Sequence, residues 1–238
     1  MYGIELPNIL IEAEDFSEYG GWLVDSQFET VMGSPYLLAH GLGKTVKDAK
    51  TSIQVPKSGN YDLFVRTRDW VPAHSPGRFQ VLINEVPVGK EFGANGKDWN
   101  WETGGKVYLP KGLVILRLKD LTGFDGRCDA IYFSGDGIEP PNQVDQTSRA
   151  WRKNQRGLPE EPIDGGSYEI VVVGGGISGC AAALAAIRYG RKVALIHDRP
   201  VLGGNASTEI GLMPRGTQGA VLKEISQRKE NGDLKAYE

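Results

Sequence analysis

A glycine-rich segment between two short apolar runs is the part of this sequence whose residue spacing most clearly predicts chemistry. It follows the run Ile170–Val173 and reads Gly174-Gly175-Gly176-Ile177-Ser178-Gly179. In a strand–turn–helix unit, the first glycine of such a pattern permits a tight turn, the second lets the backbone approach a diphosphate, and the third lets the helix lie close to the strand. The free amides and positive dipole end of the helix favour an anion. We therefore expect all six residues to contact a dinucleotide; the alternative is a βαβ unit without a ligand.

The second apolar run, Val193–Ile196, ends in the polar pair His197-Asp198. The residue that binds the adenosine ribose is expected at this strand tip, and a carboxylate there accepts two hydrogen bonds from the ribose diol. Asp198 is favoured for this role. In the alternative, His197 occupies the position and Asp198 caps the next turn. Arg199 is adjacent and is included among the expected contacts, although nothing resembles an arginine pocket for a 2′-phosphate.

The glycine turn and the segment after the second run together carry a family resemblance. That segment reads Arg199-Pro-Val-Leu-Gly203-Gly204-Asn205-Ala-Ser207. Over roughly residues 167–215, the sequence resembles FAD-dependent oxidoreductases of the glutathione-reductase-like superfamily. The resemblance implies FAD as the cofactor, with Gly203, Gly204 and Asn205 beside its pyrophosphate and ribose. The chain departs from this family at His197, where a glutamate is common, and the alternative for Gly203-Gly204 is an ordinary flexible turn.

The length after Ser167 limits what this part of the chain can do. Only residues 167–238 remain, which is enough for one βαβ unit and a further helix, whereas a doubly wound dinucleotide domain needs two such halves. We therefore expect the front portion of a longer FAD-dependent oxidoreductase. No catalytic residue is assigned, and this chain alone is expected to be inactive.

The first part of the sequence is predicted to be a separate all-β domain. Apolar residues alternate with polar ones in several short runs, such as Tyr61-Leu63-Val65 and Phe79-Val81-Ile83, between turns rich in Gly, Pro and Asn. This pattern indicates a β-sandwich over residues 1–138. Residues 139–166 read as a polar linker with a short helix around Arg149–Asn154. Residues 167–238 are expected to form the first βαβ part of a Rossmann-like α/β FAD/NAD(P)-binding domain.

Two short segments of the sandwich carry a second resemblance. Ile11-Glu12-Ala13-Glu14-Asp15-Phe16 and Arg127-Cys128-Asp129-Ala130-Ile131-Tyr132-Phe133 resemble the first and last strands of jelly-roll, galactose-binding-like carbohydrate-binding modules. The resemblance implies a structural calcium ion held by Glu12, Glu14 and Asp129, since calcium takes six to eight oxygen ligands. The alternative is a set of solvated carboxylates on an edge strand.

Sugar binding by such modules requires flat aromatic rings beside loops. Trp70, Trp99 and Trp101 all lie next to turn-rich segments, and Trp99 and Trp101 share one side of an extended segment. They are the candidate sugar-binding residues. Packing inside the sandwich or against another domain is the favoured alternative, because large aromatic residues most often serve as core or interface anchors.

Composition narrows the class of partner. A net charge of −3 gives no reason to expect nucleic acid, and no apolar run approaches the roughly 20 residues of a membrane span. No signal peptide is visible; the location is left open, with the cytoplasm as the default and the periplasm or exterior if an upstream signal was lost. The expected partner is a small-molecule or carbohydrate substrate, and the oligomeric state is undetermined. The alternative to an FAD-dependent oxidoreductase is a carbohydrate-binding module attached to an incomplete, inactive nucleotide-binding segment.

Overall fold

The computed structural model describes residues 6–199, 201–207, 210–212 and 214–225. The chain divides into two compact units, Met1–Glu160 and Glu161–Glu238. The first unit is built mainly from antiparallel strands, whereas the second contains a parallel strand pair and helices. None of the helices within the described ranges is long and apolar enough to cross a membrane.

The strands of the first unit form antiparallel sheets with the orders β1-β11-β5-β8, β4-β9-β6-β7 and β10-β3-β2. In chain order, the strands are β1 (Ile9–Glu12), β2 (Leu23–Asp25), β3 (Tyr36–His40), β4 (Ala49–Val55), β5 (Gly59–Thr67), β6 (Phe79–Ile83), β7 (Val86–Phe92), β8 (Asn100–Leu109), β9 (Gly112–Asp120), β10 (Phe124–Cys128) and β11 (Ala130–Ser134). A 3₁₀ turn spans Ala13–Asp15, and the helices are α1 (Glu29–Met32) and α2 (Gln146–Gln155).

The alternation of apolar residues places the core between the sheets. In β9, Val114, Leu116 and Leu118 are fully buried, while Leu113 and Ile115 point outward and are exposed. Successive side chains of a strand face opposite sides, so this pattern buries one face only. One apolar cluster contains residues from both four-stranded sheets, which confirms the predicted β-sandwich.

The outer face of the β1-β11-β5-β8 sheet carries polar and aromatic side chains. The strand register places Glu12 opposite Ala130, Ala130 opposite Arg66, and Arg66 opposite Trp101. The helix α2 packs on this face through ring contacts described below. Its N-cap is Asp145, whose carboxylate accepts a hydrogen bond of 2.8 Å from the Ser148 amide. This helix contains the short helix predicted around Arg149–Asn154.

The second unit contains the expected βαβ arrangement. It comprises β12 (Ile170–Val173), α3 (Ile177–Arg188) and β13 (Val193–Ile196), followed by a 3₁₀ turn (Gly204–Ala206) and α4 (Ala220–Ile225). The strands β12 and β13 are parallel, with Ile170 opposite Val193 and Val173 opposite Ile196. The alanine-rich sequence of α3 favours a helix, and Cys180 and Ala183 lie on its buried side.

Several apolar side chains of this parallel pair remain exposed within the described part of the chain. Val171, Val173 and Ile196 are 53%, 80% and 54% exposed. Parallel strands are normally covered on both faces. These apolar side chains are therefore uncovered within the described residues, and the parallel β12-α3-β13 arrangement agrees with the predicted α/β class of this unit.

Candidate nucleotide-binding site

The turn between β12 and α3 has the geometry that the glycine pattern predicts. Gly174 has a φ of +102°, a conformation that side chains disfavour. A Cβ atom on Gly179 would lie 1.8 Å from the Gly174 carbonyl oxygen, so only glycine allows the helix to approach the turn this closely. The first and third glycines of the pattern are therefore required by the backbone itself.

Gly176 differs because the space beside it is open. It is the N-cap of α3, no side chain caps the helix there, and no described atom lies within 4 Å of a Cβ built on it. Its φ of −67° and ψ of 174° are accessible to any residue. A side chain at position 176 would enter the space in front of the helix end. Glycine is therefore needed here to keep that space open.

A cleft of about 520 Å³ lies in front of the N-terminus of α3. The residues that line it come from the glycine turn and from the segment after β13: Val173, Gly174, Gly176, Ile177, Ser178, Gly179, Gly203, Gly204, Asn205, Ala206, Leu212 and Pro214. The first amides of a helix have no acceptor inside the helix, and they attract anions. The residues present therefore fit the diphosphate of a dinucleotide.

The second glycine segment is bound directly to the first. The Gly203 amide donates a hydrogen bond of 2.8 Å to the Gly175 carbonyl oxygen, and Gly203 forms a parallel bridge with Gly176. A Cβ atom on Gly204 would lie 3.2 Å from the Gly176 Cα atom. The predicted residues Gly203, Gly204 and Asn205 thus line the same cleft as the glycine turn. These contacts argue against the alternative of an ordinary flexible turn.

Both nitrogens of the His197 ring are engaged by the backbone. The Nδ1 atom accepts a hydrogen bond of 3.0 Å from the Gly175 amide, and the Nε2 atom lies 3.0 Å from the Val201 carbonyl oxygen. Because an amide only donates and a carbonyl only accepts, these two contacts assign an acceptor role to Nδ1 and a donor role to Nε2. Sequence reasoning missed this role; the one signal was the departure from glutamate at this position.

The two other strand-tip candidates lie beside this histidine. The carboxylate of Asp198 is 88% exposed, and its Oδ1 atom is 3.6 Å from the His197 Nδ1 atom. Arg199 follows in sequence and does not line the cleft among the residues described. Of the two ribose alternatives, Asp198 therefore has a solvent-exposed carboxylate, whereas both ring nitrogens of His197 contact the backbone.

The three candidate sugar-binding tryptophans do not form one surface. Trp99 is 8% exposed and packs with Tyr36, Phe28 and Met32, so its ring offers no open face; for this residue the sugar-platform prediction is wrong. Trp101 packs edge-on against Tyr132 and Trp151, and its Nε1 atom donates to the Pro141 carbonyl oxygen at 3.1 Å. The rings of Trp99 and Trp101 are therefore packing residues, as the alternative to sugar binding expected.

Trp70 is the most solvent-exposed of the three tryptophans. It is 37% exposed, and its Nε1 atom donates a hydrogen bond of 3.0 Å to the Phe124 carbonyl oxygen. The Arg127 guanidinium lies 5.3 Å from the centre of its ring, which is the distance of a cation–π contact. Its role in sugar binding stays a prediction.

The carboxylates expected to bind calcium surround an arginine instead. The Arg152 guanidinium bonds to Asp129 Oδ2 and lies 3.2 Å from Glu12 Oε2. In the described ranges, no group of three or more His, Cys, Asp or Glu side chains is arranged to hold a metal ion. The predicted calcium site of Glu12, Glu14 and Asp129 is therefore not supported, because a cation of the chain itself fills the position.

Burial changes the acidity of this cluster. Burial raises the pKa of Glu12 to about 7, an effect that the charge of Arg152 opposes. Burial and the neighbouring Glu12 raise the pKa of Glu14 to about 9. Burial disfavours the charge of Arg152, yet Asp129 and Glu12 more than offset this and raise its pKa. The cluster is thus an ion pair of Arg152 with Asp129, with Glu12 hydrogen-bonded to the same guanidinium, beside a Glu14 that favours its neutral form.

Comparison with known proteins supports the similarity of the second unit to flavoproteins. Residues 169–231 match the family described as FAD dependent oxidoreductase. The soluble pyridine nucleotide transhydrogenase of Azotobacter vinelandii is 40% identical over 65 residues, which are 27% of this chain and 14% of that protein. The same enzyme of Stutzerimonas stutzeri is 38% identical over 65 residues, again 14% of its length. The chain thus spans about 14% of the length of these curated relatives.

Solved structures similar to part of this chain include carbohydrate-binding modules. A family 35 module from Clostridium thermocellum has a TM-score of 0.44 and 18% identity, covering 53% of this chain and 96% of the module. The C-terminal CBM6 of LamC, a marine laminarinase from Zobellia galactanivorans, has a TM-score of 0.41 and 18% identity, covering 53% and 98%. The family match over residues 169–231 agrees with the resemblance to FAD-dependent oxidoreductases that the sequence predicted.

Proposed function

We propose that this chain carries the FAD-binding start of an FAD-dependent oxidoreductase. The observation that carries the proposal is the open space beside Gly176, at an uncapped helix N-terminus and next to Gly203-Gly204. The match of residues 169–231 to the flavoprotein family supports FAD over other dinucleotides. When bound, FAD would supply the redox chemistry through its flavin ring.

The residues of this chain would bind and orient the cofactor. The amides at the start of α3, from Ile177 to Gly179, would bind the diphosphate. Asp198 would accept hydrogen bonds from the adenosine ribose. His197 would hold the Gly175 amide and the Val201 carbonyl, which fixes the turn against the end of β13. Gly203 to Asn205 would form the opposite wall of the cleft.

A pair of glycine variants tests this assignment. Gly176→Val should abolish FAD binding, because the side chain enters the cleft, while its backbone angles remain allowed. Gly165→Val is the matched control, since Gly165 also has no described atom within 4 Å of an added Cβ and lies outside the cleft. Binding is measured from the quenching of flavin fluorescence. FAD binding that survives in Gly176→Val would refute the proposal that the glycine turn binds the diphosphate.

A second candidate function is carbohydrate binding by the sandwich, favoured by the partly exposed ring of Trp70. Its Nε1 atom donates a hydrogen bond to the backbone carbonyl of Phe124, a residue that is itself 50% exposed. Affinity electrophoresis of the chain in polysaccharide gels tests this function. Retardation that disappears in Trp70→Ala but persists in Trp101→Phe would favour it, and equal mobility with and without polysaccharide would count against it.

A further inference from the structure

The segment that the sequence marks as a linker supplies a charged side chain to the sandwich. We propose that Arg152 is the resident cation of the carboxylate pocket formed by Glu12 and Asp129, and that α2 is thereby a structural layer of the sandwich whose pocket requires no metal ion. The proposal is independent of FAD binding, because all residues involved belong to the first unit.

Arg152 donates hydrogen bonds to side-chain oxygens on several sides of the pocket. Its Nη1 atom donates to Glu12 Oε2 at 3.2 Å and to Ser34 Oγ at 2.9 Å, and its Nη2 atom donates to Asp129 Oδ2. Ser34 Oγ in turn donates to Asp129 Oδ1 at 2.9 Å. The side chains of Arg152, Glu12 and Asp129 are only 12%, 3% and 0% exposed. Two buried carboxylates thus share one guanidinium in a closed network.

The adjacent residue of α2 anchors the helix by apolar contact. The Trp151 ring lies 5.1 Å from Tyr132 and 6.2 Å from Trp101, both in edge-to-face geometry. One turn beyond Arg152, Arg156 pairs with Asp15 at 2.9 Å. The segment that leads into the helix is also held, because the Trp101 indole donates to the Pro141 carbonyl. The position of Arg152 is therefore fixed by the packing of the whole segment.

The positive charges already present in the carboxylate pocket disfavour the binding of a divalent ion. The buried Arg66 lies with its Nε atom 3.8 Å from Asp129 Oδ2, so two guanidiniums face the carboxylates of Glu12 and Asp129. A calcium ion would have to displace Arg152 and would meet the repulsion of Arg66 in a poorly solvated site. In this chain, arginine therefore neutralises the carboxylates of Glu12 and Asp129, which were expected to bind calcium.

Thermal unfolding of full-chain variants tests the proposal. Arg152→Met removes the cation but keeps much of the side-chain volume, and Arg149→Met, on an exposed position of the same helix, is the matched control. Removing one partner of a buried ion pair leaves the other charge uncompensated, so the midpoint of sandwich unfolding should fall by about 10 °C in Arg152→Met and little in the control. Calcium and EDTA should leave the wild-type midpoint unchanged.

A double variant keeps the test decisive even where Arg152→Met does not fold. Glu12→Gln in the Arg152→Met background replaces a buried carboxyl group that has lost its cation with a neutral amide, and leaves Asp129 balanced by Arg66. It should recover a folded chain or part of the lost midpoint. The proposal is overturned by any of three results: a calcium-dependent rise of the wild-type midpoint that Glu12→Gln abolishes, an unfolding midpoint equal in Arg152→Met and Arg149→Met, or no recovery in the double variant.

Discussion

The imidazole of His197 holds the Gly175 amide at 3.0 Å, across the 22 residues that separate the end of β13 from the glycine turn. The close approach depends on glycine, since a Cβ atom at position 175 would lie 2.7 Å from the His197 ring and 2.3 Å from Leu202. A residue at the tip of one strand thus positions the loop that follows the other strand.

Replacing His197 with alanine is expected to weaken FAD binding about 10- to 30-fold. Two hydrogen bonds that hold the turn are lost, and each contributes about 1 kcal/mol. Calorimetric titration gives the affinity, and the exchange rate of the Gly175 amide should rise in parallel. His74→Ala, in the sandwich, is the control. Unchanged affinity together with unchanged amide exchange would contradict the positioning role.

Asp198→Ala is expected to lower the affinity for ADP about tenfold, because the ribose loses a charged acceptor. Asp164→Ala is the control, since Asp164 is an exposed carboxylate that lies outside the cleft and accepts a hydrogen bond of 2.9 Å from the Gly166 amide. The measurement is a calorimetric titration with ADP. If both variants bind ADP as the unmodified chain does, the ribose contact lies elsewhere.

Gly179→Ala is expected to disrupt the second unit while leaving the sandwich intact. The added methyl group would meet the Gly174 carbonyl oxygen at 1.8 Å, so α3 must move away from β12. Hydrogen exchange over residues 169–196 should increase, whereas exchange in β5 and β9 should not change. Gly165→Ala, where an added Cβ meets nothing within 4 Å, should behave like the unmodified chain.

Glu14→Gln is expected to raise the stability of the sandwich at alkaline pH. The pKa of Glu14 is raised to about 9 in the folded chain, from an ordinary value of 4.5, and its Oε2 atom is buried with no hydrogen-bond partner among the described residues. The folded state therefore binds more protons than the unfolded state between these values, and stability falls as pH rises through that window.

Unfolding midpoints measured from pH 5 to pH 9 test this prediction. Near pH 5 the variant and the unmodified chain should be similar, and the advantage of the variant should grow toward pH 9. Glu18→Gln is the control, because Glu18 is 61% exposed and pairs with Lys50 at the surface. An advantage that is constant over the whole range would show that the charge of Glu14 is not its cause.

The local elements of both units could be predicted from residue order, for a physical reason. Alternating apolar residues such as Val114, Leu116 and Leu118 select a strand with one buried face, and the glycine at 174 selects a turn with positive φ. The close approach of α3 to the turn requires glycine at 179. These are properties of neighbouring residues, so the sequence alone determined the strands of the sandwich, the βαβ unit and the glycine turn.

The tertiary structure alone decided which partners meet across the chain. Arg152 and Glu12 are 140 residues apart, and nothing in the local pattern around either residue marks the other. The same holds for the contact between His197 and Gly175, because this hydrogen bond depends on how two strand ends are placed side by side. Periodicity encodes which face of an element is buried, whereas the identity of its neighbour follows only from the packing of the complete fold.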